Sequence, residues 1–134
     1  MTTSREPLGI VELAGVCDRL ADRNHELFEV LGRWVADEPD PARQRWFATA
    51  AHRHAWHAEL WRERRPSIPV DAVATDPAVF DGGVPGRAAW YLERVRELDV
   101  VLTAIEARVD PLLDPSTART VALVRSDLVD LRHR

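Results

Sequence analysis

The sequence predicts an all-α protein, a four-helix bundle made of two helical hairpins joined by a long crossover. Three observations carry that prediction. Apolar residues recur at the ~100° helical period through four separate stretches. Asp-Pro pairs, which cap and open helices, stand at two of the boundaries between them: Asp40-Pro41 and Asp114-Pro115. Nowhere do apolar and polar residues alternate as they do in a half-buried strand.

The totals fit this class. A chain of 134 residues, 46% hydrophobic and 30% charged, is long enough for one domain with a single core. It has no apolar run long enough to span a bilayer. The start, MTTSREPLGIVEL, lacks the basic segment and apolar block of a secretory signal, so the expected location is cytoplasmic. A formal charge of −4 gives no concentrated basic face for nucleic acid. The cluster Arg62, Arg64 and Arg65 closes a helix, where cations suit the dipole. Every basic residue is arginine, which excludes mechanisms needing an amine, such as a Schiff base or a phosphate-loop lysine. The single cysteine, Cys17, excludes an internal disulfide and a multi-cysteine metal site; on an apolar helix face it reads as buried filler.

In order, residues 1–7 are a polar start, with Ser4 a candidate cap. A first helix, 8–37, carries the stripe Ile10, Leu13, Ala14, Cys17, Leu20, Ala21, Leu27, Phe28, Leu31, Trp34 and Val35, with Asn24 at its middle. The turn Glu38–Pro41 follows. The second helix, 41–65, has Phe47, Ala50, Ala51, His54, His57, Ala58 and Trp61 on one face, so histidine stands where a core residue is expected. Residues 66–84 hold three prolines and a Gly-Gly pair, which marks a connection long enough to cross the bundle, with one short turn after Asp76-Pro77. Its glycines do not follow a strand, so it is not a nucleotide-phosphate loop. The third helix, 85–109, presents Ala88, Tyr91, Leu92, Val95, Leu98, Asp99, Leu102, Glu106 and Val109. The fourth, 116–132, turns Thr117, Thr120, Val121, Val124, Asp127, Leu128 and Leu131 inward.

The hairpins allow residues to be levelled against one another. Asn24 and His54 each lie about 15 residues from the first turn, roughly 22 Å at ~1.5 Å per residue, and so face each other. Asp99 and Asp127 are similarly equidistant from the second turn. Asn24, His54, His57, Asp99 and Asp127 are therefore expected to converge in one mid-bundle layer. Buried carboxylates need protons, imidazolium partners or a metal. Two readings stay open: a hydrogen-bonded network that fixes helix register, or one zinc, iron or manganese ion held by His54, His57, Asp99 and Asp127, with Asn24 orienting a bound water. Glu106, two turns from Asp99, belongs to another layer. No serine is placed for a nucleophilic triad, and His25 sits at a stripe boundary.

Two hairpins, a long crossover and ionisable residues at mid-bundle resemble the ferritin-like superfamily. Its di-iron members carry Glu on the first and third helices and Glu-x-x-His on the second and fourth. Here the first-helix position holds Asn24, the second-helix motif reads His54-Ala-Trp-His57, Asp99 stands for the third-helix carboxylate, and Asp127-Leu-Val-Asp130 lacks the fourth-helix histidine. The resemblance implies the bundle outline without a standard di-iron ligand set. The function expected is that of a small helical binding or assembly protein. The alternative is a metalloprotein with redox or hydrolytic chemistry on a small molecule that the sequence does not name.

Trp34, Trp46 and Trp61 fit the core. Trp56 and Trp90 lie opposite the stripes of their helices, Trp56 beside Leu60. Val100, Val101 and Ala104 give the third helix a second apolar face. Trp56, Leu60, Trp90 and Val101 are accordingly the expected interface of a homodimer.

Overall fold

The computed structural model describes residues 6–69, 71 and 80–133. Four helices make up an all-α bundle: α1 (Ile10–Asp37), α2 (Pro41–Arg64), α3 (Arg87–Glu106) and α4 (Pro115–Leu131). No helix among the described residues is long and apolar enough to cross a membrane.

The two Asp-Pro starts behave as the sequence predicts. Asp40 accepts a hydrogen bond from the Arg43 backbone N–H at 3.0 Å, and Asp114 accepts from Thr117 N–H at 3.1 Å. In each case Pro fills the first helical position, where an N–H would go unused. The other ends shift. α1 begins after Gly9 rather than at Leu8; Ser4 and the turn expected after Asp76-Pro77 fall outside the described residues. Pro85 belongs to a 3-10 turn, Val84–Gly86, and α3 proper starts at Arg87. At its other end Arg108 N–H and Val109 N–H donate three residues back, to Ile105 and Glu106, so the last turn tightens and the α-helix ends at Glu106 instead of Val109.

The hairpins pack head to tail. At one end, Arg87 at the start of α3 pairs with Asp37 at 2.8 Å, beside the first turn. At the other, Leu8 N–H donates to the Arg108 carbonyl at 3.3 Å and Arg108 pairs with Glu12 at 2.8 Å, so α1 and α3 run antiparallel. Trp46 Nε1–H donates to the Leu131 carbonyl at 2.8 Å, joining the start of α2 to the end of α4. The connection between α2 and α3 must therefore travel the length of the bundle, which is why it is long.

α2 lies closely on α1 and also on α4, and α3 lies on α4, whereas no Cα of α1 comes within 8 Å of one in α3. Among the described residues the bundle is thus closed on three flanks, while on the fourth α1 and α3 stand apart between the contacts at their two ends. Aromatic packing fills the end near the first turn: Trp34 meets Phe47 and Phe80 with ring centroids 5.1 Å away, and Trp46 stacks on Phe47 at 5.2 Å. Trp34, Trp46 and Trp61 are buried as expected, as is Cys17, whose thiol is pushed up to about 12 mainly by burial and secondarily by Asp18.

Trp90 departs from its expected place. It is half-buried, edge-on to Trp34 at 5.6 Å, with Phe80 from the crossover against it at 5.5 Å. The connecting segment supplies an aromatic cover that helical periodicity within α3 does not reveal.

Candidate functional site: the mid-bundle polar layer

Asn24, His54 and His57 are buried in the centre of the bundle. The levelling of Asn24 against His54 holds: His54 Nδ1 and Asn24 Oδ1 are 2.8 Å apart. Asn24 Nδ2 donates to the Leu20 carbonyl at 2.8 Å, which fixes its oxygen toward the imidazole. That oxygen can only accept, so His54 Nδ1 carries the proton and donates. His54 Nε2, 2.8 Å from the Tyr91 hydroxyl, then accepts from it. Burial holds the His54 imidazolium down to about 3, with His57 adding a smaller effect of the same sign. The same burial pushes the Tyr91 phenol well above its ordinary range. The row Tyr91 to His54 to Asn24 to Leu20 is neutral and directional.

The second row is charged. His57 Nε2 lies 2.8 Å from Asp127 Oδ2 and donates to it, and Arg53 Nη1 donates to Asp127 Oδ1 at 2.7 Å. Burial lowers the His57 pKa, with Asp127 pulling the other way and Arg53 adding to the fall. Donation from Nε2 leaves the lone pair on Nδ1 facing inward, and that atom has no hydrogen-bond partner among the described residues. One turn further along α2, the buried Trp61 Nε1–H is likewise without an acceptor there. The two imidazole rings stand edge to face, centroids 5.8 Å apart.

Asp99 does not join the layer. Its carboxylate accepts from Arg125 Nε at 3.1 Å and pairs with Arg132 at 3.2 Å, both on or just after α4. The levelling places it at about the right height. Its position at the stripe edge lets two guanidiniums meet it in a half-exposed seam, an arrangement cheaper than burial beside neutral histidines. Glu106 meets the same Arg125 at 3.1 Å, outside the layer as expected. Of the five residues foreseen, the fold brings together Asn24 with His54 and His57 with Asp127.

Two participants were missed. Periodicity places Tyr91 on the α3 stripe and gives it no role. Its signal was available, since a buried phenol needs a polar partner and the layer is where one exists. Arg53, beside His54 in sequence, gave none, because helical periodicity places it off the apolar stripe. A separate ionic cluster was also unforeseen. Glu38, buried within the first turn, accepts from Arg43 Nε at 3.3 Å and faces Arg87 Nη1 at 3.6 Å, while the Arg87 guanidinium lies over Trp34.

These contacts do not fit a ferritin-like di-iron centre. Asn24 supplies no carboxylate, both His54 nitrogens are engaged by neutral partners, and Asp99 is engaged by arginines. Among the described residues no group of three or more His, Cys, Asp and Glu side chains is arranged to hold a metal ion. The fold and site together define an all-α four-helix bundle with a hydrogen-bonded polar core layer. Comparison of the chain with models of protein families, with curated proteins and with solved structures finds no match.

Proposed function

We propose that the chain is a small, cytoplasmic, non-catalytic binding or assembly protein of ferritin-like outline, in which the polar layer is structural. The supporting observation is the engagement of His54 and Asp127: His54 spends both nitrogens on Asn24 and Tyr91, and Asp127 spends both oxygens on His57 and Arg53. A network joined this way sets the register of four helices. The exposed Trp56 and the adjoining half-buried Leu60 are the surface through which this protein forms a homodimer. A sedimentation experiment that finds only monomer at tens of micromolar would remove the dimer from the reading.

One observation favours a second reading, the lone pair on His57 Nδ1. A histidine backed by a carboxylate on one nitrogen and open on the other has the posture of a metal ligand. A single Zn, Fe or Mn ion held by His54, His57, Asp99 and Asp127 would require His54 to release a present partner and Asp99 to leave Arg125. Metal analysis of protein purified without chelators decides between the two. Stoichiometric metal that is lost in His54→Ala establishes the metalloprotein. Metal-free protein whose stability ignores added chelator leaves the structural network.

A further inference from the structure

We propose that the open flank between α1 and α3 is a binding groove for an elongated amphiphile with an anionic headgroup, a free long-chain carboxylate. The groove has a volume of about 540 Å³, within the range of small-molecule sites. Its floor is apolar, with Val16 and Leu20 from one wall and Leu98, Val101, Ala104 and Ile105 from the other. It runs from Leu8 and Arg108 at one end to Arg23 and Arg94 at the other, roughly 20 Å at the helical rise. That is a shape for an extended acyl chain.

Charge selects the headgroup. Arg19, Arg23, Arg94 and Arg108 line the groove against one lining acid, Glu97. Counting equal steps from the Leu8–Arg108 hydrogen bond sets Arg94 level with Arg23, and Arg19 is one turn from Arg23 on the same wall. Arg23 and Arg94 therefore stand across the groove at its mid-bundle end, while the Arg19 guanidinium meets it nearer the Leu8 end. Arg23 pairs with Glu26 at 2.9 Å, and Arg94 pairs with Glu97 at 3.0 Å while lying over the Trp90 ring, so both keep their contacts as they line the groove. Arg19 has no carboxylate partner among the described residues. Its Nη1 lies 3.4 Å from where a Cβ on Gly15 would be, so the side chain folds back along α1 over that glycine, beside the groove. A carboxylate seated on Arg19 gains charge-assisted, bidentate hydrogen bonds, while its tail covers apolar wall that includes Val101, itself 44% exposed.

A second copy of the chain suits this face poorly. A twofold contact sets the same patch against itself and would bring arginine to arginine. Val101, foreseen as part of a dimer interface, is better explained as groove wall, and self-association is left to the Trp56 and Leu60 surface.

This inference rests on the binding-protein reading, and its test can fail separately. Titrating the full chain with dodecanoate below its micellar concentration, followed by calorimetry, is expected to give saturable one-to-one binding. Arg19→Glu should weaken it by at least about tenfold. Ala104→Trp, which fills the floor and leaves every arginine in place, should abolish it. Arg19→Glu alters a solvated side chain and decides the matter even if Ala104→Trp folds poorly. Absence of saturation, or binding that neither variant changes, overturns the proposal. So does equal affinity for dodecanol, or binding to anionic phospholipid vesicles without binding of the monomeric acid. Metal-free protein that fails to bind dodecanoate refutes the ligand alone, whereas stoichiometric metal refutes the underlying reading.

Discussion

Acidification should destabilise this protein through His54 before its carboxylates titrate. In the folded state His54 is pinned between Asn24, Tyr91 and the neighbouring His57, and burial holds its pKa at about 3. In the unfolded chain the same imidazole titrates near 6.5. The unfolded state therefore binds a proton the folded state refuses. Stability is fully present above about 6.5 and falls as pH drops from there toward the folded value. Each extra proton costs about 1.4 kcal/mol per pH unit, so His54 alone removes about 2 kcal/mol between about pH 7 and pH 5. His57, also lowered by burial, acts in the same direction. Native Asp and Glu contribute mainly below about pH 5, which leaves that interval to histidine. Urea unfolding followed by far-ultraviolet circular dichroism across the interval measures the slope. In His54→Gln the slope should fall by about one proton, whatever the variant's stability at neutral pH. A wild-type profile that is flat over the interval, or a His54→Gln slope equal to wild type, would refute the claim that a neutral, desolvated imidazole anchors the core.

Two further perturbations address the contacts themselves. Asn24→Ala removes the acceptor of His54 Nδ1–H; the stranded buried donor should cost about 1–3 kcal/mol in a urea titration, before any loss from the cavity. At the first turn, Arg87→Ala leaves Glu38 buried with Arg43 alone and strips a cation from Trp34, which should cost about 3 kcal/mol. Pairing Arg87→Met with Glu38→Leu should recover part of that loss, because two apolar side chains owe nothing to desolvation. A neutral single variant would show that the cluster is incidental to stability.

The four helices and their starts at Pro41 and Pro115 were legible in the chain because they depend on local chemistry: a 3.6-residue period, an Asp side chain bonding the next turn, and a proline with no N–H to strand. The facing of Asn24 and His54 was legible too, since one short turn fixes a hairpin's register by simple counting. What the sequence left open was everything set by the rotation of one helix against another. Asp99 reaches the predicted height yet turns to Arg125 and Arg132, because a few tens of degrees about the α3 axis decide between core and seam. Trp90 is sheltered by Phe80, which comes from a connection with no period to read. The head-to-tail packing, and with it the separation of α1 from α3, is set by contacts more than 40 residues apart, such as Arg87 with Asp37 and Arg108 with Glu12. Local propensity fixes where each helix begins and which stripe it buries. Only the packed structure decides which stripe edges meet guanidinium, which meet imidazole, and which are left facing an open groove.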